Sequence, residues 1–190
     1  KTFTAIELAF SLATGQPFAG RKIEKAGSAL YCAFEGAGTI EGRVQARRSK
    51  LDPLDQRVPF YLLYQFGPIA TNGDFDNFGK RVADICQEIQ YKGDPAVTCV
   101  FIDTVAAAGM ILADSENDPG SWQRIFDFLQ ELSLRIRAPI ILVHHYGKSA
   151  DAGLRGSSNA RAGADFVLAA TCKRDETTGL ATGHQLALTK

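Results

Sequence analysis

The amino-acid sequence predicts an α/β fold: a mostly parallel central sheet flanked by helices, with an antiparallel hairpin at its C-terminal edge. Three observations predict it. Strand-like and helix-like segments alternate along nearly the whole chain. The strand-like runs are apolar at consecutive positions, as strands covered on both faces are. Polar residues follow directly on the ends of three of those runs.

Taken in order, Thr2–Leu12 carries apolar residues at helical spacing (Phe3, Ile6, Phe10 and, just beyond, Ala13), and Gly15 and Pro17 end it. Ser28–Phe34 (SALYCAF) reads as a buried strand running out at Glu35-Gly36-Ala37-Gly38. A helix over Thr39–Ser49 carries Arg43, Arg47 and Arg48, and Pro59–Phe66 reads as the next strand. Asp74 or Asp76 is the expected cap of a helix reaching about Tyr91. Val97–Ile102 (VTCVFI) is β-branched and bounded by Asp94-Pro95 before and Asp103 after. The stretch from Ala106 to Asp118 is expected to be a long, mobile loop. Asp118 with Pro119 opens a helix whose apolar stripe includes Trp122, Ile125, Phe126, Leu129, Leu132 and Ile136. Pro139–Val143 (PIILV) is again a buried strand, followed by His144 and His145. A glycine-containing loop and a short helix near Ser158–Gly163 come next. A strand at Phe166–Ala170, a turn over Asp175–Gly183 and a last strand at Gln185–Leu188 complete the series.

Length and composition bound the function. The 190 residues are expected to form one domain over 1–190. Because the chain opens Lys1-Thr2-Phe3 in a helical pattern, a longer native chain is expected. Hydrophobic residues at 45% and charged residues at 22% argue against disorder. Twenty-one Lys+Arg balance 21 Asp+Glu, so no overall basic field points to nucleic acid or membrane. Any contact with DNA must be local or built by several copies. The apolar runs fall well short of the roughly 20 residues a membrane span needs, and no signal peptide is visible. Cys32, Cys86, Cys99 and Cys172 form no C-x-x-C pair and no metal-ligand rhythm, which suits a reducing, cytoplasmic location.

In sheets of this kind ligands bind beyond the carboxyl ends of the strands. Glu35, Asp103-Thr104 and His144-His145 lie just past three such ends and are expected to face one crevice. Lys1-Thr2 opens a helix. In the phosphate-binding loop G-x-x-x-x-G-K-[ST], the lysine reaches the β- and γ-phosphates and the hydroxyl binds Mg²⁺. As a bare dipeptide it is more often a solvated helix start, and the glycines would precede Lys1. Asp103 ends an apolar strand, where a carboxylate can hold hydrated Mg²⁺ beside a nucleotide or simply cap the next loop. Glu35 can polarise an attacking water or merely open a flexible loop. Adjacent strand residues point to opposite faces, so His144 and His145 cannot readily ligate one ion. One is expected to sense the γ-phosphate as a neutral hydrogen-bonding group, and the other to pack. Lys148, Arg155, Lys173 and Arg174 fall in loop-like segments, where cations are solvated or stand beside developing phosphoryl charge.

The combination LATGQPFAGRKI, GSALYCAFEGAG, VFIDT, IILVHHYGK, LRGSSNARAGADFVL and KRDETTG, in this order, resembles the AAA_25 group of RecA-like ATPases. That group is similar to the plasmid replicative helicase RepA and, more distantly, to DnaB-type hexameric helicases. The resemblance implies that Lys1-Thr2 complete a Walker A loop and that Asp103 is the Walker B aspartate, with Thr2 and Asp103 holding Mg²⁺. It implies that Glu35 is the catalytic glutamate and His145 the sensor. It makes the RGSS segment the start of a DNA-facing or intersubunit motif, and Lys148, Arg155, Lys173 and Arg174 candidates for contacts with a neighbour's phosphates. Where the plasmid helicase has an arginine shortly after its RGSS, this chain has Asp165 and Phe166, so Arg174 is the preferred trans-acting residue.

The expected function is therefore Mg²⁺-dependent ATP hydrolysis coupled to single- or double-stranded DNA, in a phage- or plasmid-type replicative helicase working as a hexameric homo-oligomer. Two alternatives stand beside it. One is a RecA-like ATPase with a regulatory or repair role, which the neutral charge and the lack of basic residues in Met110–Asp118 favour. The other is a nucleotide-binding assembly module that does not hydrolyse.

Overall fold

The computed structural model describes residues 1–36, 38–51, 57–64, 67–111, 117–145, 158–175 and 177–190, with Ser158, Asn159 and Arg174 described in their backbone alone. Four parallel strands, β1 (Ser28–Ala33), β2 (Phe60–Tyr64), β3 (Val97–Asp103) and β4 (Ile140–Val143), form one sheet in the order β2-β1-β3-β4. Helix α1 (Thr2–Thr14) precedes β1, and α2 (Ile40–Arg48), α3 (Asn72–Tyr91) and α4 (Pro119–Ile136) make the three crossovers. After β4 come α5 (Ser158–Gly163) and the strands β5 (Leu168–Arg174) and β6 (Ala181–Leu188). The expected α/β class and the parallel sheet are what the molecule has.

Strand pleating sorts the sheet residues into two cores. Ala29, Tyr31 and Ala33 of β1, Cys99 and Phe101 of β3, and Val143 of β4 pack against Ile6, Phe10 and Ala13 of α1 and Ile40 and Val44 of α2. The alternate residues Leu30, Cys32, Val100 and Ile102 pack against α3 and α4, on Phe78, Val82, Trp122, Ile125 and Leu129. Three layers result. Both faces of the sheet are covered, which explains the unbroken apolar runs. Cys32, Cys86 and Cys99 are buried and burial raises their thiol pKa values, so they pack as small hydrophobes; Cys172 is exposed on β5.

The helix ends follow local chemistry. Gly15, at φ 75°, closes α1 by donating its N–H to the Ser11 carbonyl at 2.8 Å. Asp118 caps α4, its carboxylate accepting from the Ser121 N–H at 2.7 Å, with Pro119 in the first turn. The cap of α3 corrects the sequence expectation. Thr71 is the N-cap, and Asp74 is the third helical residue of a capping box, accepting from the Thr71 N–H at 2.8 Å.

Two further expectations are revised. The beginning of the Ala106–Asp118 stretch is not an open loop: Ala108, Met110 and Ile111 are buried in the α3–α4 core. Residues 112–116 lie outside the described residues. The C-terminal hairpin is antiparallel as expected, but its turn is shorter and its strands longer, with Lys173 paired to Thr182 and Arg174 to Ala181. The Asp175 carboxylate explains this: it accepts from the Thr177 N–H at 3.0 Å, the Thr178 N–H at 2.6 Å and the Thr178 hydroxyl at 2.8 Å, which tightens the turn. These bonds to the ionised form hold the Asp175 carboxyl below its ordinary pKa. The hairpin is a sheet of its own, separated from β4 by a cavity of about 520 Å³ lined by Ile140–Val143 on one side and Val167, Leu168 and Leu186 on the other.

The register of β1 on β3 depends on Gly27. A Cβ there would stand 2.8 Å from the Ala96 carbonyl oxygen and would also strike the Thr98 side chain. Gly27→Ala is expected to destabilise the fold by about 1–3 kcal/mol, measured by denaturant unfolding, because backbone cannot yield as a side chain can.

Candidate active site

The pleat that builds the two cores also aims the site. β1 and β3 lie side by side with Ala33 opposite Asp103, and β3 and β4 with Asp103 opposite Val143. Asp103 therefore continues the series Cys99, Phe101 on the α1 face. Glu35 lies two residues beyond Ala33, and His145 two beyond Val143, so both fall to the same side. Phe34 and His144 fall to the other. The Phe34 ring meets Phe78 edge-on at 5.7 Å, and the His144 ring meets Trp122 edge-on at 5.3 Å.

Lys1 stands at the N-cap of α1, the helix that covers this face. Its ammonium contacts Nδ1 of His145, and Nε2 of the same ring lies 3.7 Å from Oε2 of Glu35. That oxygen also accepts from the Thr104 hydroxyl at 3.3 Å. Although Lys1 is exposed as a residue, burial of its ammonium holds its pKa below the ordinary lysine value; the Glu35 and Asp103 carboxylates oppose the shift. Lys1, Glu35, Thr104, Asp103 and His145 thus converge at one rim. The first N–H groups of α1 have no partner within the helix and add anion-binding capacity there.

The two carboxylates sit in different surroundings. Glu35 is about half exposed at its side chain, where it can take a proton from water. Asp103 is fully buried. Its Oδ2 accepts from the Tyr31 hydroxyl at 2.6 Å, while Oδ1 is buried with no hydrogen-bond partner among the described residues. Its backbone carbonyl accepts from Phe34 N–H at 2.7 Å and Glu35 N–H at 3.1 Å, tying the ends of β1 and β3 together. Burial, then the neighbouring Asp103 charge, raises the Tyr31 phenol well above its ordinary pKa, so it stays protonated and donates to Oδ2.

Over residues 1–151 the chain matches the family model AAA_25, an AAA domain. The chain belongs to the AAA_25 family. As an AAA_25 domain it is an ATPase domain of the P-loop class, with nucleotide as its ligand. No curated protein matches the chain. Among the described residues no helix is long and apolar enough to cross a membrane.

A magnesium ion fits the residues at the rim. Among the described residues there is no cluster of three or more His, Cys, Asp and Glu side chains of the kind zinc requires. Mg²⁺ instead takes one or two protein oxygens and completes its shell with water and phosphate. The orphaned Oδ1 of Asp103 is such an oxygen. Thr2, the first residue of α1, carries the other candidate hydroxyl.

Of the remaining candidates, Lys173 alone has its side chain among the described residues. Lys148 and Arg155 lie outside the described residues, as does the Arg174 side chain. Lys173 is exposed on β5, and among the described residues it has no hydrogen bond or ion pair to Lys1, Glu35, Asp103 or His145. Sequence reasoning placed Thr104 at the rim without assigning it a role, and it missed Tyr31. Tyr31 lies in an apolar run and reads as core; its polar partner is 72 residues away.

Proposed function

We propose that this domain is the motor of a Mg²⁺-dependent, DNA-coupled ATPase, a replicative helicase of the phage or plasmid type that works as a hexameric ring. The observation that carries the ATPase chemistry is the contact chain from Lys1 through His145 and Glu35 to Thr104, beside the buried Asp103. Each member has a part in it. Lys1 exchanges its contact with His145 for phosphate oxygens. Glu35, held at Oε2 by Thr104, takes the proton of a water whose oxygen attacks the γ-phosphorus, while the bond to the bridging oxygen breaks and ADP leaves. Bound Mg²⁺ supplies charge neutralisation at the phosphates, and Asp103 and Thr2 are the residues that would hold it. His145 touches both Lys1 and Glu35, so it can report loss of the γ-phosphate to the segment that follows it.

Coupling to DNA and assembly rest on the resemblance of the RGSS and KR segments to those of ring helicases. The exposure of Lys173, without a hydrogen bond or ion pair to the rim among the described residues, suits a cation offered to a neighbour. In the full-length protein, single-stranded DNA is expected to stimulate phosphate release, and ATP to drive strand displacement. Arg174→Ala is expected to depress turnover more than ATP binding. Phosphate release with no displacement of any duplex would favour the regulatory reading, to which the zero net charge inclines. Absence of phosphate release would leave an assembly module.

A further inference from the structure

We propose that Tyr31 is a positioning residue for the magnesium ligand Asp103: its hydroxyl pins Oδ2 and leaves Oδ1 as the oxygen presented to the metal. The inference rests on the assignment of Asp103 as a metal ligand in the proposed function.

The geometry is specific. Tyr31 and Asp103 are both fully buried and joined by a hydrogen bond of 2.6 Å between side chains from neighbouring strands. The phenol ring is itself fixed. It lies in an aromatic row, 5.6 Å from Phe101 on one side and 5.9 Å from Phe60 on the other, with Phe10 stacked 4.7 Å beyond Phe60. A carboxylate ending a strand would otherwise rotate about its Cβ–Cγ bond and offer either oxygen. The Phe34 and Glu35 amides hold the Asp103 carbonyl, and Tyr31 holds one side-chain oxygen, so the residue is fixed at two points. Hydrogen bonding of a metal-ligating carboxylate orients it, and loss of such a partner typically costs about 10- to 100-fold in metal affinity. Phenylalanine at this position would keep the ring stack and remove only the donor.

The test is Mn²⁺ binding to the full-length protein loaded with a non-hydrolysable ATP analogue, read by electron paramagnetic resonance, alongside thermal unfolding. Tyr31→Phe is expected to weaken Mn²⁺ about 10- to 100-fold while the analogue still binds. Asp103→Asn serves as the reference and is expected to weaken it at least as much. Wild-type Mn²⁺ affinity in Tyr31→Phe, even with a lowered melting temperature, overturns the proposal and leaves Asp103 in place. Wild-type affinity in Asp103→Asn overturns the assignment of Asp103 itself, and the Tyr31 proposal with it. Should Tyr31→Phe fail to fold, 3-fluorotyrosine labelling in a Tyr146→Phe background supplies the reading. A tyrosine ¹⁹F resonance that shifts on adding Mg²⁺ with the analogue, and does not shift in Asp103→Asn, supports the proposal. Unmoved resonances overturn it.

Discussion

Glu35→Gln is expected to leave ATP bound and to slow its hydrolysis by about 10²- to 10⁴-fold, the range a positioned general base contributes. Glutamine keeps the length of the side chain and can still accept from the Thr104 hydroxyl, which stands 3.3 Å from Oε2. It loses the negative charge beside His145 and the capacity to take a proton. Binding measured with a fluorescent ATP analogue should therefore change little, while single-turnover phosphate release collapses. Because the Glu35 side chain is about half exposed and glutamine keeps an acceptor for Thr104, the melting temperature should be nearly unchanged. Wild-type turnover in this variant would remove Glu35 from the chemistry.

The largest stability effect is expected at Phe101. Its ring is fully buried at the centre of the sheet, stacked 5.6 Å from Tyr31 and packed in the α1 core. Phe101→Ala removes a whole ring where the flanking strands cannot close in, and such truncations cost about 3–5 kcal/mol. For a domain of this size that corresponds to a fall in melting temperature of roughly 6–20 °C. The damage should reach the site as well, since Tyr31 loses one wall of the stack that aims its hydroxyl at Asp103. Calorimetry together with Mg²⁺-dependent nucleotide binding would register both effects. A drop under about 1 kcal/mol would mean that the aromatic row is not a unit of the core.

Much of this arrangement was legible in the chain. VTCVFI followed by Asp103, and PIILV followed by His144-His145, state strand, strand end and polar rim in sequence order. The rule that neighbouring strand residues face opposite sides separated the two histidines, one beside Lys1 and one against Trp122. What could not be read were the partners. Which strands neighbour one another, and in what register, is decided by packing between segments distant in sequence. Hence Tyr31, indistinguishable from a core aromatic in SALYCAF, gave no sign of its bond to Asp103. The same holds for Met110 and Ile111, which look like loop residues until α3 and α4 close over them. Local chemistry also misled at the start of α3, where threonine and aspartate share one capping box and either could be taken for the cap.

The most direct test of the converging rim is a structure of the full-length Glu35→Gln protein with ATP and Mg²⁺. The triphosphate is expected on the amino end of α1, with the Lys1 ammonium on phosphate oxygens and the metal held on the side of Asp103 and Thr2. A nucleotide seated elsewhere, in the cavity between β4 and the hairpin for example, with Lys1 still on His145, would contradict it.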